Sequence, residues 1–150
     1  MLCIYIYKLH VKKFFFPKKK FFLSCLKKIF KKKKVEITIR LVDLIEIQLL
    51  NKKYRNKNTS TNVLSFPATN NIYIKHKFPY YIGDIILCAH YINKEALLLQ
   101  KNILEHWAHM IIHSTLHLLH YTHNTAQSAK KMQIKENIIM RKLGFLNPYN

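Results

Sequence analysis

The chain has few cysteines, few glycines, few acidic residues and no long apolar run. Its 3 cysteines are scattered and show no C-x-x-C spacing, which argues against disulfides and against a zinc knuckle and favours free thiols in a reducing compartment. No run reaches the 18 or so apolar residues of a membrane helix, and no cationic segment precedes the apolar start as in a secretory signal. We therefore expect a cytoplasmic protein with no stable membrane association.

The shortage of acidic residues makes the chain strongly basic. There are 7 Asp and Glu against 26 Lys and Arg, a net charge of +19, and the first acidic residue is Glu36. Twelve lysines precede it, and such a surface attracts a polyanion such as RNA. A second interpretation stays open, because only 2 glycines amid abundant lysine, asparagine and isoleucine indicate an A/T-biased coding background. The lysines would then be compositional drift.

Strand and helix patterns interleave along the chain, which predicts an α+β fold in a single domain of 150 residues. Alternating apolar residues predict four strands, Leu2–Leu9 (an edge strand), Val35–Val42, Asn62–Phe66 and Gly83–His90. Helical periodicity predicts Lys18–Lys34, Leu44–Lys53, Lys94–Leu119 and Ala126–Leu143, with Asn93 as an N-cap and Gly144 as a C-terminal cap. Between them we expect a polar loop at Asn56–Thr61 and an excursion at Ile72–Pro79.

Six of the 9 histidines fall between residues 106 and 123. His113 and His117 are four apart, so on a helix they project from one face about 6 Å apart and can share one zinc ion. If the helix ends after Leu119, the chain can turn back and bring His123 over this pair. An uninterrupted helix would instead continue the stripe through His120, and a histidine-rich helix without metal is the plainest alternative.

The motif contains no carboxylate, since no Asp or Glu occurs between Glu105 and Glu136. Zinc proteases of the H-E-x-x-H type need a glutamate directly after the first histidine, where this chain has Ser114. A protease is therefore excluded. A zinc ion that lowers the pKa of water toward 7 without a partner base suits hydrolysis of a phosphodiester held by cations.

The segment His113-Ser-Thr-Leu-His117-Leu-Leu-His120-Tyr-Thr-His123 resembles the H-G-x-L-H-L-x-G-Y-D-H signature of the YbeY family of rRNA maturation endoribonucleases. Further matches keep the family's order: Tyr54-Arg55-Asn56-Lys57, Thr61-Asn62-Val63-Leu64-Ser65-Phe66-Pro67, Gly83-Asp84-Ile85, Met132-x3-Glu136 and Leu143-Gly144-Phe145. The likeness covers about residues 35–149, while residues 1–34 match weakly.

Four positions depart from the family pattern: Ser114 and His120 replace glycines, and Thr122 and Asn58 replace aspartates. Position 120 is where the helix must end. A left-handed residue there costs a non-glycine about 1 kcal/mol or more, although histidine tolerates it better than β-branched residues do. All three expected ligand positions are retained.

The resemblance implies a small mixed β-sheet packed against helices, zincin-like, with one Zn²⁺ per chain on His113, His117 and His123. It implies a catalytic role for Arg55, in the polar loop, and a weaker phosphate contact for Lys57. We expect Trp107 to be a core residue and His109 to be either a core residue or a residue that supports a ligand histidine. We expect His120 to replace a glycine without being a fourth ligand, and Glu136 to make a structural interaction.

The function so implied is a zinc-dependent endoribonuclease that acts on single-stranded RNA, not DNA. It would mature the 3′ end of small-subunit rRNA, serve ribosome quality control, and contact the small ribosomal subunit and assembly factors. Two alternatives remain: a catalytically weakened zinc-binding ribosome-assembly factor, and a metal-dependent hydrolase of a non-RNA substrate.

Overall fold

The computed structural model describes residues 2–8, 13–31, 33–69 and 79–150. Within these residues there are four strands, β1 (Leu2–Lys8), β2 (Val35–Val42), β3 (Val63–Pro67) and β4 (Tyr80–Cys88). Its helices are α1 (Lys19–Phe30), α2 (Leu44–Arg55), α3 (Ala89–Leu98), α4 (Ile103–Leu118) and α5 (Ala126–Lys142).

The strands form one mixed sheet in the order β1-β2-β4-β3. β1 pairs with β2 and β2 with β4 in parallel, whereas β3 runs antiparallel to β4, so β1 is the edge strand that the sequence predicts. Gly83 lies where β4 passes β3, and a Cβ there would stand 2.2 Å from the Phe66 carbonyl oxygen. The expected α+β fold, a small mixed sheet against helices, is confirmed.

The two faces of the sheet carry different hydrophobic clusters, because side chains alternate along each strand. Ile85 and Leu87 of β4 belong to the larger cluster, which α1, α4 and α5 complete. Ile86 belongs to a smaller one, shared with Ile47 of α2. The helix α4 is central, and its Trp107 is fully buried as predicted.

The predicted helix 94–119 is two helices, and α3 begins earlier, at Ala89. Gln100 takes a left-handed backbone (φ 52°), and Asn102 caps α4 by accepting from the amides of Leu104 and Glu105. The prediction of Asn93 as an N-cap is therefore wrong. Asn93 lies inside α3, where its side chain accepts from the Trp107 indole at 2.8 Å and donates to the Phe15 carbonyl.

Other boundaries shift by a few residues. The first helix ends at Phe30, so Lys33 and Lys34 lie beyond it, and β4 ends at Cys88, before His90. All three cysteines are free, as expected. Most of the predicted excursion Ile72–Pro79 lies outside the described residues. Among the helices that the structure describes, none has both the length and the apolar character needed to cross a membrane.

Candidate metal centre and cleft

The last two turns of α4 place His113 and His117 on one face. Their Nε2 atoms are 3.1 Å apart and their ring centroids 4.6 Å apart. The helix ends at Leu118, within one residue of the predicted end. Two of the three predicted site histidines are thus adjacent on a helix, as the four-residue spacing predicts.

The chain reverses directly after this helix. His120 adopts a left-handed backbone (φ 66°), the amide of His120 donates to the His117 carbonyl, and the amide of Tyr121 donates to the Leu116 carbonyl. The predicted left-handed turn at residue 120 is confirmed, and a histidine occupies it. The turn brings the His123 ring to 5.5 Å from His113 and 4.9 Å from His117.

One ring nitrogen each of His113, His117 and His123 lies within 4.8 Å of the others, so this group could hold a metal ion. His120 is exposed and outside the group. The hydrogen bonds fix the tautomers of two members. The Nδ1–H of His117 donates to the Tyr121 carbonyl at 2.9 Å, since a carbonyl can only accept, and His113 Nδ1 lies 2.6 Å from a Glu136 oxygen.

These bonds leave both Nε2 atoms as acceptors that face one another at 3.1 Å. Two lone pairs at that distance repel unless a cation lies between them. Burial, followed by the charge of neighbouring His113, lowers the pKa of His117, which keeps its imidazole neutral, as a metal ligand must be. The donor set therefore fits a metal ion by its own chemistry.

Glu136 on α5 is the partner of His113 and is fully buried. Burial by itself raises the pKa of Glu136, but the imidazoles of His109 and His113 and the hydroxyl of Tyr149 outweigh it and lower the pKa to about 2. The carboxylate is thus ionised and accepts from the Nδ1–H of His113. The sequence predicts a structural interaction for Glu136, and its partner in the structure is His113, a predicted metal ligand.

A second group, His109, His113 and Glu136, also lies close enough to hold a metal ion. The hydrogen bonds of His113 favour the first group. Its Nδ1 is already bonded to the Glu136 carboxylate, which also lies 3.5 Å from His109 Nε2, and its other nitrogen, Nε2, faces His117. His109 is buried, as predicted.

The histidine group opens into a cleft of about 520 Å³ that Arg55 and Lys57 also line. Arg55 is the last residue of α2, not a loop residue as predicted. The helix continues to Arg55 because Asn56 ends it in a left-handed conformation (φ 57°). Glycine usually occupies such a helix-ending position, and there is none here to mark it in the sequence. Both cationic side chains are exposed.

The start of β3 and the residues before it also line the cleft. The side chain of Asn62 donates to Glu95 at 3.1 Å and accepts from the Val63 amide at 2.7 Å. Ser65 donates from its hydroxyl to the Ser114 carbonyl at 3.2 Å, which ties β3 to α4. Five residues of the Thr61–Pro67 match therefore line the same cleft as the histidines, namely Thr61, Asn62, Val63, Ser65 and Pro67.

The structure accommodates the departures from the family pattern. Ser114 is fully buried, and its hydroxyl donates to the Met110 and Ile111 carbonyls within α4. Thr122 is exposed and lines the cleft. Asn58 is exposed and accepts from Gln48.

Sequence reasoning did not identify the bond from Glu136 to His113 or the contact of Tyr149 with Glu136. One signal was available for the first, since Glu136 is the first acidic residue after Glu105. For the second contact, no spacing rule connects Tyr149 to Glu136, 13 positions earlier.

Comparisons with known proteins agree with this architecture. The chain is 63% identical over 139 residues to "Endoribonuclease YbeY" of Buchnera aphidicola subsp. Cinara cedri, covering 93% of this chain and 89% of that protein. It is 46% identical over 135 residues to the protein of the same name from Buchnera aphidicola subsp. Acyrthosiphon pisum, covering 89% of this chain and 85% of that one.

The solution structure of TM1509 from Thermotoga maritima shares the fold, with a TM-score of 0.58 at 22% identity over 96% of this chain and 92% of that one. The family model described as "Endoribonuclease YbeY" matches residues 10–144, and so includes α1 as well as the cleft. From its own sequence motifs and these matches, the chain belongs to the YbeY family.

Proposed function

We propose that this protein is a zinc-dependent endoribonuclease that cleaves single-stranded RNA in the cleft. The observation that carries the proposal is the lining of that cleft: three converging imidazoles together with Arg55 and Lys57. Metal ligands and phosphate-binding cations are the two components that hydrolysis of a phosphodiester needs. The family name of its relatives supports RNA as the substrate.

His113, His117 and His123 would hold one Zn²⁺ per chain. Three neutral nitrogen ligands with a further position open to the cleft are typical of catalytic zinc sites. When bound, zinc supplies Lewis acidity and a source of hydroxide at neutral pH. The protein orients two of the ligands, through Glu136 behind His113 and the Tyr121 carbonyl behind His117.

Arg55 is the proposed catalytic residue from the protein side. Its guanidinium is always protonated, so it cannot ligate metal, but it can hold phosphate oxygens and stabilise the charge that develops as the bond breaks. Lys57 adds a second, weaker cation at the same rim. Among the described residues no acidic side chain lines the cleft, so nothing there repels an approaching phosphate.

The biological setting rests on the family resemblance. We propose maturation of the 3′ end of small-subunit rRNA and ribosome quality control in the cytoplasm, in contact with the small ribosomal subunit and assembly factors. Little base readout is expected, because the cations of the cleft suit the RNA backbone and not base edges.

A cleavage assay with three substrates tests the proposal. A labelled single-stranded RNA should be cut, while the corresponding RNA duplex and DNA strand should not. A chelator should abolish cleavage and added Zn²⁺ should restore it. His117→Ala should lose both zinc and cleavage, since two imidazoles make a poor site.

His90→Ala is the matched control, because His90 lies on α3, stacked on Phe14 and away from the cleft. It should keep zinc and activity. If the wild type holds zinc but cuts no RNA, the weakened assembly factor is favoured. Ser114, His120 and Thr122 would then be changed to the residues of the family pattern to restore cleavage. Cleavage that survives the chelator would overturn the metal-dependent mechanism.

A further inference from the structure

The seven residues that follow α5 and Leu143 fold back against α4. Gly144 takes a positive φ of 84°, and the amide of Phe145 donates to the Met140 carbonyl, which turns the chain. The ammonium of Lys101 then donates to the Pro148 carbonyl at 2.6 Å, and Pro148 is buried. The tail is therefore fixed at two points before it reaches Tyr149.

Tyr149 reaches the buried carboxylate behind the histidine group. Its hydroxyl donates to one Glu136 oxygen, while the other oxygen bonds to the Nδ1 of His113. Its ring meets His109 edge-on, with centroids 5.4 Å apart at 81°. A continuous chain of hydrogen bonds thus runs from the tail through Glu136 to His113.

Glu136 has two imidazoles within reach, and only one of them is a proposed metal ligand. His113 Nδ1 is at 2.6 Å from Oε1 and His109 Nε2 is at 3.5 Å from the same oxygen. The Nε2 of His109 has no hydrogen-bond partner, although it is buried. An unpaired buried nitrogen is costly, so His109 Nε2 competes with His113 for this carboxylate. If the carboxylate were free to rotate, it could pair with His109 and leave His113 without an acceptor.

We infer that Tyr149 is a positioning residue that holds the Glu136 carboxylate toward His113 and away from His109. By doing so it keeps the proton of His113 on Nδ1 and directs Nε2 into the cleft. Fixing a ligand imidazole through the partner of its other nitrogen is how surrounding groups tune metal affinity. This inference rests on the proposed metal site for its consequence, but the orientation of His113 can be measured without metal.

Tyr149→Phe is the direct test, since it removes the hydroxyl and retains the ring against His109. Nitrogen-15 NMR of the metal-free protein reports which ring nitrogens are protonated. In the wild type we expect His113 as a single Nδ1–H tautomer. In the variant, His113 should be a mixture of the two tautomers. The His109 resonances should shift as His109 gains a hydrogen bond to the Glu136 carboxylate.

Metal affinity gives the second measurement, with Co²⁺ as a spectroscopic probe. Tyr149→Phe should weaken Co²⁺ binding by about tenfold, within the range known for partners of ligand histidines, and change the visible absorption bands. Tyr91→Phe, which removes the same atom from α3, should leave the affinity and the His113 resonances unchanged.

The two measurements separate this inference from the proposed function. If the wild-type protein binds neither Zn²⁺ nor Co²⁺, the metal proposal fails, yet the tautomer of His113 still decides the role of Tyr149. The inference is overturned if His113 keeps one tautomer in Tyr149→Phe, or if Co²⁺ affinity stays within twofold of the Tyr91→Phe control.

Discussion

At residue 120 a side chain with a Cβ occupies a left-handed turn that the family pattern assigns to glycine. The backbone at His120 has φ of 66°, and its amide is held by the His117 carbonyl at 2.9 Å. A left-handed conformation costs an L-residue about 1–2 kcal/mol, although histidine is among the residues that tolerate it best. The turn nevertheless forms, because it satisfies the last carbonyls of α4.

Replacing His120 with glycine should remove that cost. We expect the free energy of unfolding to rise by up to about 1 kcal/mol, part of the gain being offset by the greater freedom of glycine in the unfolded chain. Urea denaturation measures it. His120→Ala, which keeps the Cβ, should show no gain, and a drop in zinc affinity in His120→Gly would identify His120 as a ligand.

Arg55 should act on the reaction and not on the fold. Its side chain is exposed at the end of α2, so its removal leaves no cavity in the core. In Arg55→Ala we expect unchanged zinc content, a small loss of RNA binding, and cleavage reduced by roughly a hundredfold, the scale of losing one charge-stabilising donor. Single-turnover cleavage rates and binding titrations measure the two effects.

Lys52→Ala is the matched control for Arg55, since it removes a cation from the same last turn of α2 outside the cleft lining. It should cleave at the wild-type rate. Equal losses of binding and cleavage in Arg55→Ala would make Arg55 a docking residue, and wild-type cleavage would transfer its role to Lys57.

At the scale of elements, α4 and α5 are joined by a buried charge whose effect on stability depends on pH. The pKa of Glu136 is about 2 in the folded protein against an ordinary 4.5, so the unfolded chain takes up its proton first as pH falls. Its contribution is therefore fully present above pH 4.5 and is lost between pH 4.5 and 2. In metal-free protein, urea midpoints should fall across that window.

Glu136→Gln should flatten the fall between pH 4.5 and 2, measured on the same urea curves. The pKa of His109 is lowered below its ordinary 6.5 by burial, so the wild type should also lose stability as pH falls below 6.5, through a separate group. A midpoint curve for Glu136→Gln that parallels the wild type below pH 4.5 would contradict the assignment to Glu136.

The break between α3 and α4 shows where sequence patterns stop short. Leu97, Leu98 and Leu99 carry an apolar pattern into the break, which contains neither glycine nor proline. Gln100 instead supplies the left-handed residue and Asn102 the cap. An Asn cap followed by Glu105 is a start signal, but the same pattern beginning at Asn93 competes with it, and only packing decides between them.

The site was predictable to the extent that its geometry is local. The four-residue spacing on α4 and a turn after Leu119 place three histidine nitrogens together, and both depend on neighbouring residues alone. The partners of those nitrogens are contributed by α5 and the tail, and they depend on how helices pack. Arg55 was predicted in part. The family motif implied its place at the site, but the sequence pattern did not predict that α2 continues to Arg55 and ends at Asn56.

At the scale of the whole molecule, positive charge is spread unevenly. Exposed lysines occupy the outer side of α1, namely Lys19, Lys20, Lys27 and Lys28, with Lys31 at its end, while Phe22 and Leu26 of the same helix are buried in the core. No α1 lysine forms an ion pair with any carboxylate that the structure describes. Exposed lysines without counter-charges bind phosphate with a strong dependence on salt.

Removing three of these charges tests whether they contact RNA or reflect composition. Affinity for single-stranded RNA should fall with salt by about 0.7 log units per phosphate contact for each tenfold rise in salt, so Lys27→Gln, Lys28→Gln and Lys31→Gln together should reduce the slope by about two. Fluorescence anisotropy at several salt concentrations measures the slope.

The control variant replaces three exposed lysines of α5 outside the cleft lining, Lys130, Lys135 and Lys142, with glutamine. It has the same net charge as the α1 variant. If contacts at α1 matter, only the first variant flattens the slope. An equal change in both would mean that overall charge alone attracts RNA, and an unchanged slope in both would assign the lysines of α1 to compositional drift.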